Sequence, residues 1–159
     1  MSKITFLGEY QCSVDDKGRV RMPAELRKQF PEGDKGRFML AKGLDDCLMI
    51  YPLETWSLHE ARLRKLNRFN PEHRAFINAF TVGLMQTELD GNDRFLLPKS
   101  LSRYIGAPRE VVLKADLDQI QVWDIQKYEQ YTQGNIAQVE ALSDKVARYL
   151  DSLDEGSRP

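Results

Sequence analysis

The chain contains few of the residues from which disulfide frameworks, metal centres and nucleophilic sites are built. Its 159 residues include two cysteines, Cys12 and Cys47, which are too far apart for a CxxC motif. Cysteines used in this way favour a cytoplasmic protein with reduced thiols. His59 and His73 are the only histidines. Neither belongs to a Cys-His or Asp-His arrangement, and both are expected to be solvated on polar helices. We therefore expect no catalytic residues, no metal site and no cofactor, and we do not expect an enzyme.

Long apolar runs and glycine-rich phosphate loops are also missing. No apolar stretch approaches the ~20 residues that cross a bilayer, and the opening Met1-Ser2-Lys3-Ile4 does not have the form of a signal peptide. No loop of the kind that cradles a nucleotide phosphate occurs. With 42% apolar and 30% charged residues, the composition is that of an ordinary soluble domain. We expect a cytoplasmic protein without a membrane partner, and no small-molecule ligand is evident.

What the chain does contain is an internal repeat. Residues 15–26 (DDKGRVRMPAEL) return as residues 90–101 (DGNDRFLLPKSL), 75 positions later, and residues 42–51 match residues 114–123 at an offset of 72. The positions that agree are Gly8 and Gly83, Asp15 and Asp90, Arg19 and Arg94, Pro23 and Pro98, and Leu26 and Leu101. A unit of about 45 residues buries too little surface to fold alone, so we expect the two copies to share one core.

Each copy is predicted to have the same order of elements, namely strand, turn, strand, short helix, strand, turn, strand. Alternating apolar residues and turn-forming residues predict strands at 8–14, 20–22, 37–41, 47–51, 84–89, 94–97, 110–113 and 119–123. Helices are predicted to begin at Pro23, Pro52, Pro71 and Pro98, because proline is tolerated at the first helical position. The segment after Trp123 is predicted to be helical, with a break at 133–135.

These elements divide the chain into five segments. They are a first repeat (6–53), inter-repeat helices (54–81), a second repeat (82–125), a C-terminal helical segment (126–153) and a frayed tail (154–159).

Charge is unevenly distributed, although the formal net charge is −1. Residues 1–82 carry 14 Lys and Arg against 11 Asp and Glu, a balance of +3, and the remainder carries 9 against 13, a balance of −4. The window 17–37 alone has seven basic and three acidic side chains. A polyanion responds to such local charge within a Debye length of about 8 Å. The first repeat is therefore the better candidate for an anion-binding surface.

The duplicated motif, Asp-x-x-Gly-Arg followed by an apolar strand, proline and Leu-Arg, resembles the half-unit of the AbrB/MazE/SpoVT swapped-hairpin barrel. Two such half-units in one chain of this length, opened by Phe6-Leu7-Gly8-Glu9-Tyr10, resemble the MraZ family from about residue 6 to residue 128. The resemblance implies an α+β, β-rich fold. In that fold two half-barrels form an intramolecular pseudo-dimer with flanking helices.

The resemblance also implies a function. Members of this family are nucleoid-associated transcriptional regulators of the cytoplasm that bind short direct repeats in double-stranded DNA upstream of their own division and cell-wall operon. They assemble into ring-like homo-oligomers. These properties are expectations that come with the family.

Carried over residue by residue, the motif places DNA binding on Arg19, Arg27 and Lys28. Lys17 and Arg21 bracket Arg19 and are expected to share its face. Arg19 and Arg21 are expected to read bases, because the planar guanidinium matches the edge of guanine in the major groove. Lys17, Arg27 and Lys28 are expected to hold phosphates.

The second repeat departs from the motif. Asp93 stands where glycine is expected and puts a negative charge beside Arg94, and Ser102 replaces the equivalent of Arg27. Arg94 and Arg103 are therefore weaker candidates for DNA contact. We expect the second repeat to be mainly structural.

Other interpretations remain open. The same barrel could serve as an antitoxin-like protein-interaction module. The acidic residues at 45–46 and at 116 and 118 are typical of hairpin turns, although carboxylates also bind divalent metals. The basic residues between 62 and 74 are typical of a solvated helical face, a nucleic-acid stripe or a subunit contact. An apolar stripe fits core packing, subunit packing or a partner groove; its members are Ile136, Val139, Leu142, Val146, Tyr149, Leu150 and Leu153.

Overall fold

The computed structural model describes residues 4–156 and has an α+β fold. The first repeat contains β1 (Glu9–Ser13), β2 (Arg19–Arg21), α1 (Ala24–Arg27), β3 (Arg37–Lys42) and β4 (Leu48–Pro52). Two helices follow, α2 (Leu53–Leu63) and α3 (Pro71–Thr81). The second repeat contains β5 (Met85–Glu88), β6 (Arg94–Leu96), α4 (Lys99–Tyr104), β7 (Glu110–Asp116) and β8 (Gln119–Asp124), and α5 (Ile125–Gly156) comes last. The predicted order of elements in both repeats is confirmed.

The strands pair across the two repeats, and every pairing between named strands is antiparallel. Six strands form a sheet in the order β1-β7-β8-β4-β3-β5, while β2 and β6 form a separate two-stranded ribbon. β1 runs alongside β7 from Glu9 opposite Lys114 to Ser13 opposite Glu110, and β5 pairs with β3 in the corresponding way. Each repeat therefore covers strand edges that the other would leave unpaired.

One apolar core is shared by both repeats, as expected. Buried side chains at equivalent positions of the two copies meet in it; they are Val20, Met22 and Leu26 from the first repeat and Phe95, Leu97 and Leu101 from the second. The ring of Phe38 lies 5.5 Å from that of Phe95 and 5.8 Å from that of Phe30. Because Val20 and Phe95 point into this core, the neighbouring residues of β2 and β6 point outward.

His59 lies in an aromatic cluster, so the expectation of a solvated side chain is wrong. Its ring centre is 4.9 Å from that of Tyr51 and 6.3 Å from that of Phe80. Trp56 stacks on Phe80 at 6.2 Å. The Nε2 atom of His59 is buried and has no hydrogen-bond partner among residues 4–156. The polar sequence around His59 concealed this position, because the apolar face that covers it comes from the next helix.

Residues after 125 form a second compact unit, in which α5 continues without interruption to Gly156. The predicted break at 133–135 is wrong. A glycine in an exposed helix costs only about 1 kcal/mol relative to alanine, which the helix-forming residues around Gly134 outweigh. Residues 154–156, assigned to the tail, are helical, and 157–159 lie outside the described residues. The apolar stripe is exposed along α5, and Ile136 reaches 71%.

Candidate nucleic-acid interface

The ribbon formed by β2 and β6 carries arginines on its outer side. Arg21 lies directly opposite Arg94, and Arg19 lies opposite Leu96. Arg21 and Leu96 are exposed, while Arg19 and Arg94 are partly exposed. We call this surface, made of Arg19, Arg21, Arg94 and Leu96, the arginine ribbon. It places two predicted DNA-binding residues of the first repeat beside one of the second.

An aspartate at the start of each turn holds the arginine that ends it. Asp15 Oδ1 accepts the backbone N–H groups of Lys17 (3.0 Å) and Arg19 (2.8 Å), and Asp15 Oδ2 accepts Nε–H of Arg19 at 2.8 Å. In the second turn Asp90 makes the same bonds, including one from Nε of Arg94 at 3.0 Å. The repeated Asp-x-x-x-Arg spacing is therefore a local clasp that closes the turn and orients the guanidinium.

The clasp leaves Arg19 able to bind a ligand. The Arg19 side chain is 30% exposed, and its ion pair with Asp15 goes through Nε. Within residues 4–156 the structure gives the Nη groups no hydrogen bond. A guanidinium held at its inner edge presents an oriented pair of outer donors, which is the arrangement that matches O6 and N7 of guanine. The same holds for Arg94, whose pair with Asp90 also goes through Nε.

The two clasps are expected to make stability depend on acid pH. The backbone N–H of Arg19 is the main cause that lowers the pKa of Asp15 below its usual 3.8, and the N–H of Arg94 lowers the pKa of Asp90 in the same way. A carboxyl whose pKa is lowered by folding stabilises the fold above the unfolded pKa, and this contribution is lost as pH falls through the folded pKa. Melting temperatures measured between about pH 7 and about pH 3 should therefore decline below about pH 4.

The control for this dependence is the double variant Asp15→Asn with Asp90→Asn, which keeps one acceptor oxygen at each position for the backbone N–H groups and removes the titrating carboxylates. Its melting temperature should be lower than that of the wild type at neutral pH and should fall less on acidification. An equal fall in both proteins would show that these carboxylates do not contribute.

The two predicted phosphate-binding residues at the end of α1 are each in an ion pair. Nε of Arg27 lies 3.5 Å from Asp93, and Nζ of Lys28 lies 3.4 Å from Glu25. Asp93 adopts the left-handed φ of 57° where Gly18 has 83°. Its carboxylate pairs with Arg27 across the repeats, not with its chain neighbour Arg94. The pair of Lys28 is exposed and that of Arg27 partly exposed, and surface pairs contribute only about 0–1 kcal/mol, so a phosphate can replace the carboxylate.

An open groove of about 650 Å³ borders the first turn. Four exposed cations line it, Lys17 from the first repeat and Lys99, Arg103 and Arg109 from the second. We call it the cationic groove. Lys17 and Arg103 are candidates from the sequence, whereas Lys99 and Arg109 were missed. The four-residue spacing of Lys99 and Arg103 on a helix could have indicated a shared face, but their position beside the first turn follows from the strand pairing.

The remaining candidate groups take no part in this surface. Burial raises the pKa of the Cys12 thiol to about 11 and that of Cys47 to about 12, so both thiols are protonated at neutral pH. No group of three or more His, Cys, Asp or Glu within residues 4–156 is arranged to hold a metal ion. None of the helices in that range combines the length and the apolar character that a bilayer-spanning helix requires.

An exposed two-stranded ribbon with arginines on its outer side is one of the elements with which DNA-binding proteins enter the major groove. This geometry is typical of ribbon-type DNA-binding proteins. The family described as "MraZ protein, putative antitoxin-like" matches this chain twice, over residues 5–79 and 80–152. The chain belongs to the MraZ family.

Curated relatives of this family span nearly the whole chain. The transcriptional regulator MraZ of Acetivibrio thermocellus is 40% identical over 142 residues, which cover 89% of this chain and 96% of the relative. The transcriptional regulators MraZ of Christiangramia forsetii and Moorella thermoacetica are each 35% identical over 144 residues. Those matches cover 90% and 91% of this chain and 93% and 98% of the relatives. These relatives are named as transcriptional regulators and not as enzymes.

Proposed function

We propose that this protein is a sequence-specific transcriptional regulator that binds double-stranded DNA at short direct repeats upstream of its own division and cell-wall operon. The arginine ribbon is the observation that carries the proposal. The major groove admits a two-stranded antiparallel ribbon, and the outer side of this ribbon is cationic. A regulator of this kind acts in the cytoplasm, in association with the nucleoid.

The residues have different roles in the proposed complex. Arg19 and Arg21 read base edges, and Arg94 contacts the same stretch of DNA because it lies directly opposite Arg21. Lys17, Arg27 and Lys28 bind backbone phosphates and set the register of the protein on the duplex. The ion pairs of Arg27 and Lys28 open when DNA binds, at the small cost expected for exposed pairs.

The exchange of strands supports the finer description of the fold. We propose that the chain is an intramolecular pseudo-dimer of two half-barrels of the swapped-hairpin type, with repeats at 6–53 and 82–125, linking helices at 54–81 and a C-terminal segment at 126–153. Strand order supports it, because interchanging the repeats gives the order β5-β3-β4-β8-β7-β1, which is the same sheet read from its other edge.

Self-association into a ring-like homo-oligomer completes the proposal. The exposed residues Val139, Leu142, Val146, Tyr149 and Leu153 follow the alternating three- and four-residue spacing of a coiled-coil seam. An apolar stripe of this kind on one chain fits the same stripe on a second copy. Several ribbons held in one assembly engage tandem repeats at high effective concentration, which compensates for the modest charge of each copy.

Placing a charge in this seam is expected to reduce the size of the assembly. Val146→Asp buries a carboxylate at the contact, whereas Ala137→Asp puts the same group on the opposite face of α5. Sedimentation velocity at fixed protein concentration should show smaller species for Val146→Asp and the wild-type distribution for Ala137→Asp. An unchanged distribution for Val146→Asp would exclude the stripe as the subunit contact.

The function is tested by titrating the protein into fluorescent duplexes at three salt concentrations. One duplex carries the repeats upstream of the protein's own gene, and the other is a scrambled sequence of equal length and composition. We expect a preference on the order of 1,000-fold for the first duplex and an affinity that falls steeply with salt. Equal, weak binding to both, together with a tight protein partner in a pull-down, would favour the antitoxin-like module.

A further inference from the structure

We propose that the cationic groove binds a backbone phosphate of the DNA duplex that occupies the arginine ribbon. This inference rests on the proposed function and adds a site built from both repeats. Lys99, Arg103 and Arg109, all from the second repeat, are its main residues, and Lys17 contributes from the first turn. The second repeat then takes part in DNA binding beyond the contact proposed for Arg94.

In the part of the chain that the structure describes, the side chains of the four cations have no partner. All four are exposed, and within residues 4–156 none of them makes an ion pair or a side-chain hydrogen bond. Two carboxylates, Asp15 and Asp16, also line the groove. Asp15 is committed to Arg19 at 2.8 Å, so its charge is already compensated. Four cations against one uncompensated carboxylate leave a net positive site with free donors.

The equivalent end of the pseudo-symmetric fold lacks this property. The counterparts of Lys17 and Lys99 there are Asn92 and Ala24, which carry no charge. The counterpart of Arg103 is Lys28, which is paired with Glu25 at 3.4 Å.

Two of the three remaining cations at that end have internal partners, and the third, Lys35, is exposed. Arg37, the counterpart of Arg109, donates from Nε to the carbonyl oxygen of Asp34 at 2.9 Å. Arg27 is paired with Asp93. The two ends therefore share a fold but differ in charge. In the groove four cations have no partner among the described residues, whereas at the other end Arg27 and Lys28 reach a phosphate only after their ion pairs open.

The groove is continuous with the arginine ribbon. Leu96 lines the groove and also lies opposite Arg19 in the ribbon. Lys17 precedes Arg19 by two residues in the same turn. Each strand of DNA carries one phosphate per ~3.4 Å of helix axis, so a strand whose bases reach the ribbon presents phosphates to the adjoining groove. Lysine and arginine side chains beside a base-reading element commonly bind such phosphates.

The double variant Arg103→Ala with Arg109→Ala tests the inference in the intact protein. Its matched control is Arg62→Ala with Arg68→Ala, which removes two other exposed arginines whose side chains have no partner among the described residues. The groove variant should bind cognate and scrambled DNA more weakly by the same factor, roughly tenfold at low salt. Its slope of log affinity against log salt should fall in magnitude by about 1 to 2. The control should match the wild type in both quantities.

A scan with methylphosphonate linkages, which neutralise one phosphate at a time, tests direct contact. Neutralising one phosphate beside each DNA repeat should lower the affinity of the wild type. The groove variant should bind this neutralised duplex as tightly as it binds the unmodified one. If the wild type prefers the repeats but the groove variant keeps its affinity and salt slope, the inference fails and the proposed function stands. If the wild type shows no preference, the proposed function itself fails.

Inorganic phosphate presents the same anionic group to the groove as a phosphate of DNA. Inorganic phosphate added to the protein should bind weakly, and the cognate duplex should displace it, as followed by the amide NMR signal of Gly18. Phosphate that remains bound in the presence of saturating DNA would assign the groove to a small anion and overturn the inference.

Discussion

Replacing Arg19 by alanine is expected to weaken binding to the upstream repeats by roughly 10- to 100-fold and to reduce the preference over scrambled DNA. The clasp from Asp15 to Nε orients the outer donors of Arg19, so the variant loses an oriented fork as well as a charge. The effect is large because each subunit of an assembly loses the same contact. Fluorescence anisotropy with both duplexes measures it directly.

Two further variants separate base reading from charge. Arg19→Lys keeps the charge but not the planar fork, so it should retain binding to scrambled DNA while losing preference for the repeats. Lys28→Ala should lower the affinity for both duplexes by the same factor, as expected for a phosphate contact. Arg19→Ala and Lys28→Ala with equal losses on cognate and scrambled DNA would contradict the division of roles.

Replacing Phe95 by alanine is expected to lower the free energy of unfolding by about 3–5 kcal/mol. The Phe95 side chain is 1% exposed and lies in the core shared by the two repeats, where its ring meets Phe38. A domain of this size has a total stability of about 5–15 kcal/mol, so this loss is a large fraction of it. Urea unfolding followed by tryptophan fluorescence, at fixed protein concentration, measures the change.

Phe69→Ala is the matched control, because Phe69 is 93% exposed and the substitution removes the same atoms. It should change the free energy of unfolding by no more than about 0.5 kcal/mol. Strands of the two repeats pair with each other, so Phe95→Ala should shift one transition shared by Trp56, which follows the first repeat, and Trp123 of the second. Two separate transitions, or a loss as small as that of the control, would contradict a shared core.

Local features of the fold were predictable from the sequence because their causes are local. The alternation of Glu9–Ser13 and the turn residues that follow predict β1 and the turn before β2, and prolines mark the starts of α2 and α3. The strand partners were not predictable. Alternation indicates which face of β1 is buried, but not that Glu9 pairs with Lys114. Such pairing depends on contacts between residues far apart in the chain.

The same distinction applies to the candidate site. Arg19 was identified by its place in the family motif, and Arg21 was added because alternating residues of one strand share a face. Three features of the site were not predicted. The clasp by Asp15 depends on side-chain geometry. The pair between Arg27 and Asp93 and the cationic groove each join residues of different repeats. Whether a charge is free or paired is therefore the information that the sequence lacked.

Cleavage of DNA from a chelate attached to the ribbon tests the central claim most directly. Leu96→Cys places a thiol on the arginine ribbon without removing a charge, and the raised pKa values of Cys12 and Cys47 direct an iron chelate to the new cysteine. The control is Leu117→Cys, which is exposed at the far end of β7 from the first turn. We expect the chelate at position 96 to cleave the DNA within each of its direct repeats, and the chelate at position 117 to give no cleavage. Cleavage from position 117 alone would show that DNA binds another face and would contradict the account.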